Sequence, residues 1–362
     1  MSSEKAGKST EPLLSRGILG RYGWALPVLL LVILGTALFV SMGFGAYPMS
    51  FGKSLKTLAE ALRPFTPEPT ESAAIREMTV VTVIRPPRIL VAAFAGIALG
   101  LAGTALQGIM RNPLVGPDLV GVSSGAAFGG VLAMLLSWPL IGVIGLASVG
   151  GMGALLCTLA LARLVSERSD GVPLILSGFF VGAFFLGGVS LLQSIPMETS
   201  WKMPGVIYWL LGAFRGADPM KIWVILIPTL VGGAILMALR WRLNLLSLGD
   251  LDAASLGIDV RRLRWLILIV VSIMVAAQVA VSGVVGWVGL IIPHSARMLV
   301  GPDHRKLLPT AALMGGLYVL LLDNLTRTVI GEVPVGVLSA FFGTPLLCFL
   351  FWKIQTRGWS EQ

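Results

Sequence analysis

Few residues in this chain have the types and spacing that chemistry needs. Gly121, Ser123 and Gly125 fall in the G-x-S-x-G pattern of a nucleophilic serine, with His294 as its only possible base in an apolar segment. A nucleophile elbow needs a sharp strand-to-helix turn. These residues instead follow Pro113 and Pro117 and open an uncharged stretch that reads as a helix, so small residues for helix packing are the simpler account. His304 stands beside Asp303 in a loop and no H-E-x-x-H pair occurs, so no metal-ligand set is expected. Gly52, Lys53 and Ser54 match the tail of a phosphate-binding loop, but Tyr47 occupies the place of its first glycine. Cys157 and Cys348 both lie in apolar runs and read as two buried small side chains, not as a disulfide or a cluster. The residues therefore predict no catalytic site, no metal and no cofactor bound by this chain.

The elements that carry these residues are apolar. None of Asp, Glu, Lys or Arg falls in 22–52, 89–110, 119–162, 171–197 or 265–296, and 56% of the residues are hydrophobic against 12% charged. A helix crossing the hydrocarbon core needs roughly 20 apolar residues, because its backbone must satisfy itself where water is absent. The runs predict an all-α polytopic membrane protein with about ten transmembrane helices: 26–46, 89–110, 119–137, 140–162, 173–194, 219–239, 265–284, 287–300, 307–326 and 333–352. Trp138 and Pro139 divide the longest run. The stretch 203–214, with Tyr208 and Trp209, is too short to cross and reads as a re-entrant or surface helix. One transmembrane domain over 25–355 is expected, between tails at 1–24 and 356–362.

An even number of spans puts both termini on one side. Sixteen Lys and Arg lie on that side and ten in the opposite loops, so the positive-inside rule places both termini in the cytoplasm. The net charge of +9 then points to anionic lipid as a partner and not to nucleic acid. Glycine occurs 44 times and recurs at four-residue spacing, at Gly96 and Gly100, at Gly121, Gly125 and Gly129, and at Gly178 and Gly182, which lets helices approach closely.

Two polar features remain. The loop segment 247–262 mixes Leu248, Leu251, Ala254, Leu256 and Ile258 with Asp250, Asp252 and Asp259, a short amphipathic element able to enter a partner's groove or to serve as a solvated connector. On the other side, Arg85 and Arg88 of an RPPR motif and Arg327 offer planar forks for carboxylates, or for lipid headgroups. Asp323 and Arg297 are the clear ionisable residues within spans, fewer than a transporter driven by an ion gradient would be expected to hold.

Four collinear stretches, 85–126, 255–264, 286–309 and 332–345, resemble the membrane subunit of the FecCD-like importers. These are ATP-binding-cassette permeases for iron-siderophore complexes, haem and cobalamin. The resemblance implies a type II importer permease fold, pairing with a second copy, two cytoplasmic ATPase subunits that carry ATP and Mg, and a periplasmic binding protein. It assigns coupling to the ATPase to Leu248, Gly249, Ala253, Ala254, Leu256, Gly257 and Ile258, and docking of the binding protein to Arg85, Arg88 and Arg327. For a bulky chelate, Ser123, Ser124, Phe179, Phe180, Phe184 and Gln193 are the candidate pathway-lining residues. Ferric siderophore or haem is the expected cargo, with cobalamin or an oxyanion as alternatives. The RPPR motif replaces the commoner R-[LI]-P-R, and the resemblance does not explain the long loop 53–78.

Overall fold

The computed structural model describes residues 18–19, 22–61, 63, 71–165, 171–194, 203–328, 331 and 333–358. The tail expected at 1–24 lies mostly outside them, as do residues 359–362 of the tail expected at 356–362. Among the described residues every regular element is helical: α1 Ala25–Val40, α2 Phe51–Ala61, α3 Ser72–Thr79, α4 Arg85–Met110, α5 Val122–Leu135, α6 Leu140–Val165, α7 Gly171–Ser194, α8 Met203–Leu210, α9 Pro219–Ala238, α10 Arg240–Leu248, α11 Asp250–Ser255, α12 Val260–Ser282, α13 Val288–Val300, α14 His304–Thr328 and α15 Val335–Gly358. Seven helical stretches are long and apolar enough to cross a membrane, and the shorter apolar α5, α13 and α15 make up the ten expected.

The second span differs from its expectation. Helix runs unbroken from Ser72 to Met110 because a π-helical turn, Val80–Ile84, joins α3 to α4. Pro86 and Pro87 have no N–H to give and would disrupt a regular helix. At the start of α4, directly after the wider π turn, they cost the ladder little.

Helix α4 packs most extensively against α14. A Cβ added at Gly96 would lie 2.0 Å from the Gly315 carbonyl oxygen, one at Gly315 would lie 2.2 Å from the Gly96 oxygen, and one at Gly100 would lie 2.3 Å from the Ala311 oxygen. The second glycine series works likewise: Gly125 meets the Gly150 oxygen at 2.4 Å and Gly129 the Leu146 oxygen at 2.1 Å, both on α6, and Gly178 of α7 meets the Leu119 oxygen at 2.2 Å. Lipid tails give no hydrophobic drive for helix association, so such backbone contact supplies the packing.

Three stretches of non-helical backbone sit where the short helices end. Ala213 N donates to Ser282 O at 2.8 Å, Gly336 N to Gly212 O at 3.2 Å, and Ser339 Oγ to Gly286 O at 3.0 Å. Gly283, at φ +71°, has the Trp209 oxygen 1.7 Å from where a Cβ would stand. The 203–214 stretch is thus helical only over α8 and then enters the bundle, where Val206 and Phe214 are buried. Non-helical backbone survives at membrane depth only when it is enclosed and paired in this way.

The two cysteines correct their expectation, since Cys157 and Cys348 are both exposed on the surface of the chain. Each lies on an outward face of a helix, α6 or α15, where an apolar run presents one side to lipid or to another chain. The G-x-S-x-G residues form the first turn of α5, with Ser123 buried and no strand before it.

The glycine contacts generate a test. Gly96→Val should cost about 3 kcal/mol or more, because the opposing backbone oxygen cannot yield. Gly35→Ala on α1, with open space around it, should change stability by less than about 1 kcal/mol. Thermal unfolding of the two variants in detergent measures the difference.

Candidate functional site

Three places concentrate function, and α4 connects two of them. Its 26 residues span about 39 Å at 1.5 Å per residue. Arg85 and Arg88 stand at one end and Arg111, whose φ of +49° ends the helix, at the other.

At the first end the arginines are recessed. Arg85, Arg88 and Arg327 are only 3%, 8% and 5% exposed. Arg88 Nε donates to Asp323 Oδ1 at 2.9 Å, and Arg327 Nε lies 3.0 Å from Asp323 Oδ2. Asp323, fully buried, thus ties α4 to α14 through Arg88 and pairs with Arg327 one turn further along its own helix. Arg85 has no carboxylate partner among the described residues. It donates to the Met42 oxygen at 2.6 Å, the Tyr47 oxygen at 2.8 Å and Ser54 Oγ at 3.1 Å, all on the segment following α1 and the start of α2. Arg327 reaches the Phe44 oxygen at 3.2 Å and also Asn324 Oδ1. The sequence expectation of three forks presented on a surface is therefore corrected in its geometry: the chain's own residues 42–54 wrap the guanidinium cluster. What stays open is a pocket of about 190 Å³ lined by Gly45, Ala46, Tyr47, Val80, Ile84 and the three arginines.

The long loop 53–78 acquires a role from the same geometry. Ser54 of α2 caps Arg85, and Lys53 pairs with Glu77 of α3, tying the excursion back to the helix that carries the arginines. The hydrogen bond to Glu77 chiefly holds the Lys53 ammonium pKa above its ordinary value.

The second place is the wall formed by α5 and α7. The structure separates the residues expected together: Phe179, Phe180 and Phe184 are exposed on α7, and Gln193 is half-buried. Ser123 and Ser124 are buried behind them, with Ser124 Oγ 3.4 Å from the Cβ position of Gly182. Ser124 belongs to the contact between α5 and α7, while Phe179, Phe180 and Phe184 of α7, and Phe341 of α15, are bare apolar side chains.

The third place is the coupling segment. Gly249, at φ +138°, bends the chain between α10 and α11, and Gly257, at φ +81°, bends it again before Asp259 caps α12 by accepting from Arg262 N at 3.0 Å. Asp250 anchors the elbow, accepting from Arg264 Nη2 at 2.9 and 3.1 Å, with Arg111 Nη2 at 3.5 Å. Of the expected contact residues, Leu248, Ala254, Leu256 and Gly257 face outward, whereas Gly249 and Ala253 are buried and Ile258 packs on the core. Leu251 is 88% exposed, the barest of the segment's large apolar side chains. Residues 18 and 19 hydrogen-bond to Met298 and Leu299 at the end of α13, which puts the start of the described chain on this same face.

Sequence reasoning missed the shared role of Asp323, although an ionisable residue in an apolar run with Arg327 four positions on is a legible sign of an internal ion pair. It also missed the anchoring of Asp250, for which only the fold brings Arg111 and Arg264 together.

A model of the FecCD transport family matches residues 30–353. The chain belongs to the FecCD transport family. It is 41% identical over 337 residues to the molybdate import system permease protein MolB of Haemophilus influenzae, covering 92% of this chain and 96% of that protein. It is 33% identical over 341 residues to the Fe(3+) dicitrate transport system permease protein FecC of Escherichia coli, covering 92% and 97%. A solved metal-chelate type ABC transporter in an inward-facing conformation matches with a TM-score of 0.78 and 39% identity, over 91% of this chain and 99% of that one. This FecCD chain is the permease subunit of an ABC importer, a multi-pass bacterial membrane protein with the type II importer fold, and in such systems ATP hydrolysis lies on a separate subunit.

The arginine cluster of this FecCD permease yields a second test. Asp323→Asn removes the buried carboxylate that Arg88 and Arg327 share and should destabilise the chain by about 3–5 kcal/mol. Replacing Asp323 and both arginines together by apolar residues of similar size should recover most of that loss in the same thermal unfolding assay.

Proposed function

We propose that the chain pairs with a second copy to form the translocation pathway of an ATP-driven importer for a bulky metal chelate, ferric siderophore or haem, with both termini in the cytoplasm. Two ATPase subunits bind ATP and Mg and engage the coupling face. The observation that carries this reading is the bare trio Leu248, Leu251 and Leu256 on an elbow anchored by Asp250, Arg111 and Arg264. Apolar side chains on a rigid support suit insertion into a groove of a partner. Conformational coupling needs such a link, because ATP moves the permease only by binding differently to its two states.

The cargo reading rests on α7. That helix and the residues around it, 171–197, hold no charged group. They present Phe179, Phe180 and Phe184 as exposed aromatic surface. A large, mostly organic chelate slides along such a wall without meeting a charge that would trap it. The binding protein approaches from the face opposite the coupling segment, where an acidic side chain entering the pocket meets the guanidiniums of Arg85, Arg88 and Arg327.

A second reading, an oxyanion importer, is favoured by one specific finding, the 41% identity to the molybdate permease over nearly the whole of both chains. Uptake of radiolabelled ferric siderophore, haem and molybdate by vesicles holding the full importer separates them. Saturable, ATP-dependent uptake of molybdate alone overturns the chelate reading.

The coupling assignment predicts that Leu251→Glu lowers ATP-driven uptake at least tenfold while the permease inserts and unfolds at the wild-type temperature. Wild-type transport in that variant removes the coupling role from this face. Gly257→Arg, strained by its φ of +81°, should show the same uptake defect together with a small loss of stability.

A further inference from the structure

On the coupling face, a second pocket of about 230 Å³ opens between the end of α4, α10, α13 and the start of α14. It is lined by Gln107, Gly108, Arg111, Pro113, Ser247, Arg297, Pro302 and His304. Its size is below the roughly 300–1,000 Å³ of sites for drug-sized ligands, so only a small molecule or a headgroup fits.

The charge in this pocket is one-sided. Arg297 is half-buried, and no acidic side chain stands within ion-pair distance of it among the described residues. Arg111 reaches Asp250 only at 3.5 Å, while Arg264 holds that same carboxylate at 2.9 Å, so the negative charge of Asp250 is mostly satisfied elsewhere. A guanidinium has five N–H donors, and a single contact at 3.5 Å leaves Arg111 with donors to spare. Asp303, the other acid near the pocket, is engaged by Asn244 Nδ2 at 2.6 Å and by Arg305 N at 3.0 Å. Burial pushes its pKa up, but these bonds and the Arg305 charge prevail, keeping it below the usual carboxylate range and ionised with partners of its own.

The neighbouring polar groups are fixed. His304 faces Asn244 Oδ1 through Nδ1 at 2.8 Å, which fixes the ring at the wall. Gln107 Nε2 donates to the Leu290 oxygen at 3.2 Å, and the side chain's own carbonyl oxygen is buried without a partner at the same wall. Two guanidiniums with unused donors converging on a small pocket at the membrane boundary form a site for a tetrahedral oxyanion, because arginine forks match phosphate geometry.

We propose that Arg111 and Arg297 bind a phosphate-type oxyanion on the coupling face, either free inorganic phosphate or the phosphate of an anionic lipid headgroup. The site is separate from the cargo pathway and from the arginine cluster at the far end of α4. Through Arg111 it adjoins Asp250, the anchor of the coupling segment.

The experiment uses the full chain purified in a neutral detergent in chloride buffer. Inorganic phosphate is titrated by calorimetry at constant ionic strength, and native mass spectrometry follows phosphatidylglycerol retained from mixed vesicles. Saturable phosphate binding that weakens at least tenfold in Arg297→Gln and returns in Arg297→Lys supports a site for the free ion. Phosphatidylglycerol retained by the wild type and lost in Arg297→Gln, without phosphate binding, supports the headgroup. Should Arg297→Gln fail to fold, Arg111→Gln, a change at an exposed side chain, must show the same loss. A wild-type chain that binds neither ligand above the chloride control overturns the proposal, as does binding that survives in both variants.

Discussion

The contact between α4 and α14 governs the rest of the molecule. In lipid, two apolar helices gain little by hiding from solvent, so what joins them is backbone proximity and the satisfaction of polar groups. Here glycines at 96, 100 and 315 bring the backbones together, and Asp323 closes the pair by accepting from Arg88 on α4 and facing Arg327 on α14. A buried carboxylate between two guanidiniums is expensive to assemble and more expensive to break. The result is a strut across the bilayer whose one end carries the arginine pocket and whose other end carries Arg111 and His304. Displacement at either face has a stiff path to the opposite one, which an alternating-access machine requires.

The bundle around this strut departs from ideal helices where the chain crosses only part of the membrane. Helices α5 and α13, of 14 and 13 residues, are too short to span a hydrocarbon core of about 30 Å. The remaining depth is filled by the loops 211–214 and 283–287, the first bonded to Ser282 at the end of α12 and both bonded to the start of α15. Gly212 and Gly283 hold left-handed backbone there with no space for a side chain. Breaks of this kind are the positions at which a membrane helix can pivot without leaving amides bare.

Hydropathy alone made the ten spans legible, because the apolar runs are long and Trp138 with Pro139 marks the one division that length could not. The four-residue glycine spacing also pointed to the right contacts, though not to which helices would meet. The fate of the arginines was less legible. RPPR and Arg327 announce positive charge at one face, but their burial depends on residues 42–54 folding over them, a tertiary event with no local signature. The expected pathway residues show the same limit: Ser123 and Ser124 are uncharged and small, as a pathway or a helix contact requires equally, and nothing local in the sequence distinguishes the two. Cys157 and Cys348 were misjudged because an apolar run does not say which of its sides faces the interior of its own chain.

The segment that wraps Arg85 has a consequence for how such permeases diversify. Charge and surface shape are carried by different parts of the chain here: the charges belong to the transmembrane strut, while the surface over Arg85 belongs to residues 42–54, with Lys53 tied to Glu77 of α3. Mutations in the excursion can retune which partner fits without disturbing the ion pairs that keep the membrane domain folded. If a delivery protein docks there as proposed, a lineage could exchange one for another by editing residues 42–54, leaving the transport core unchanged.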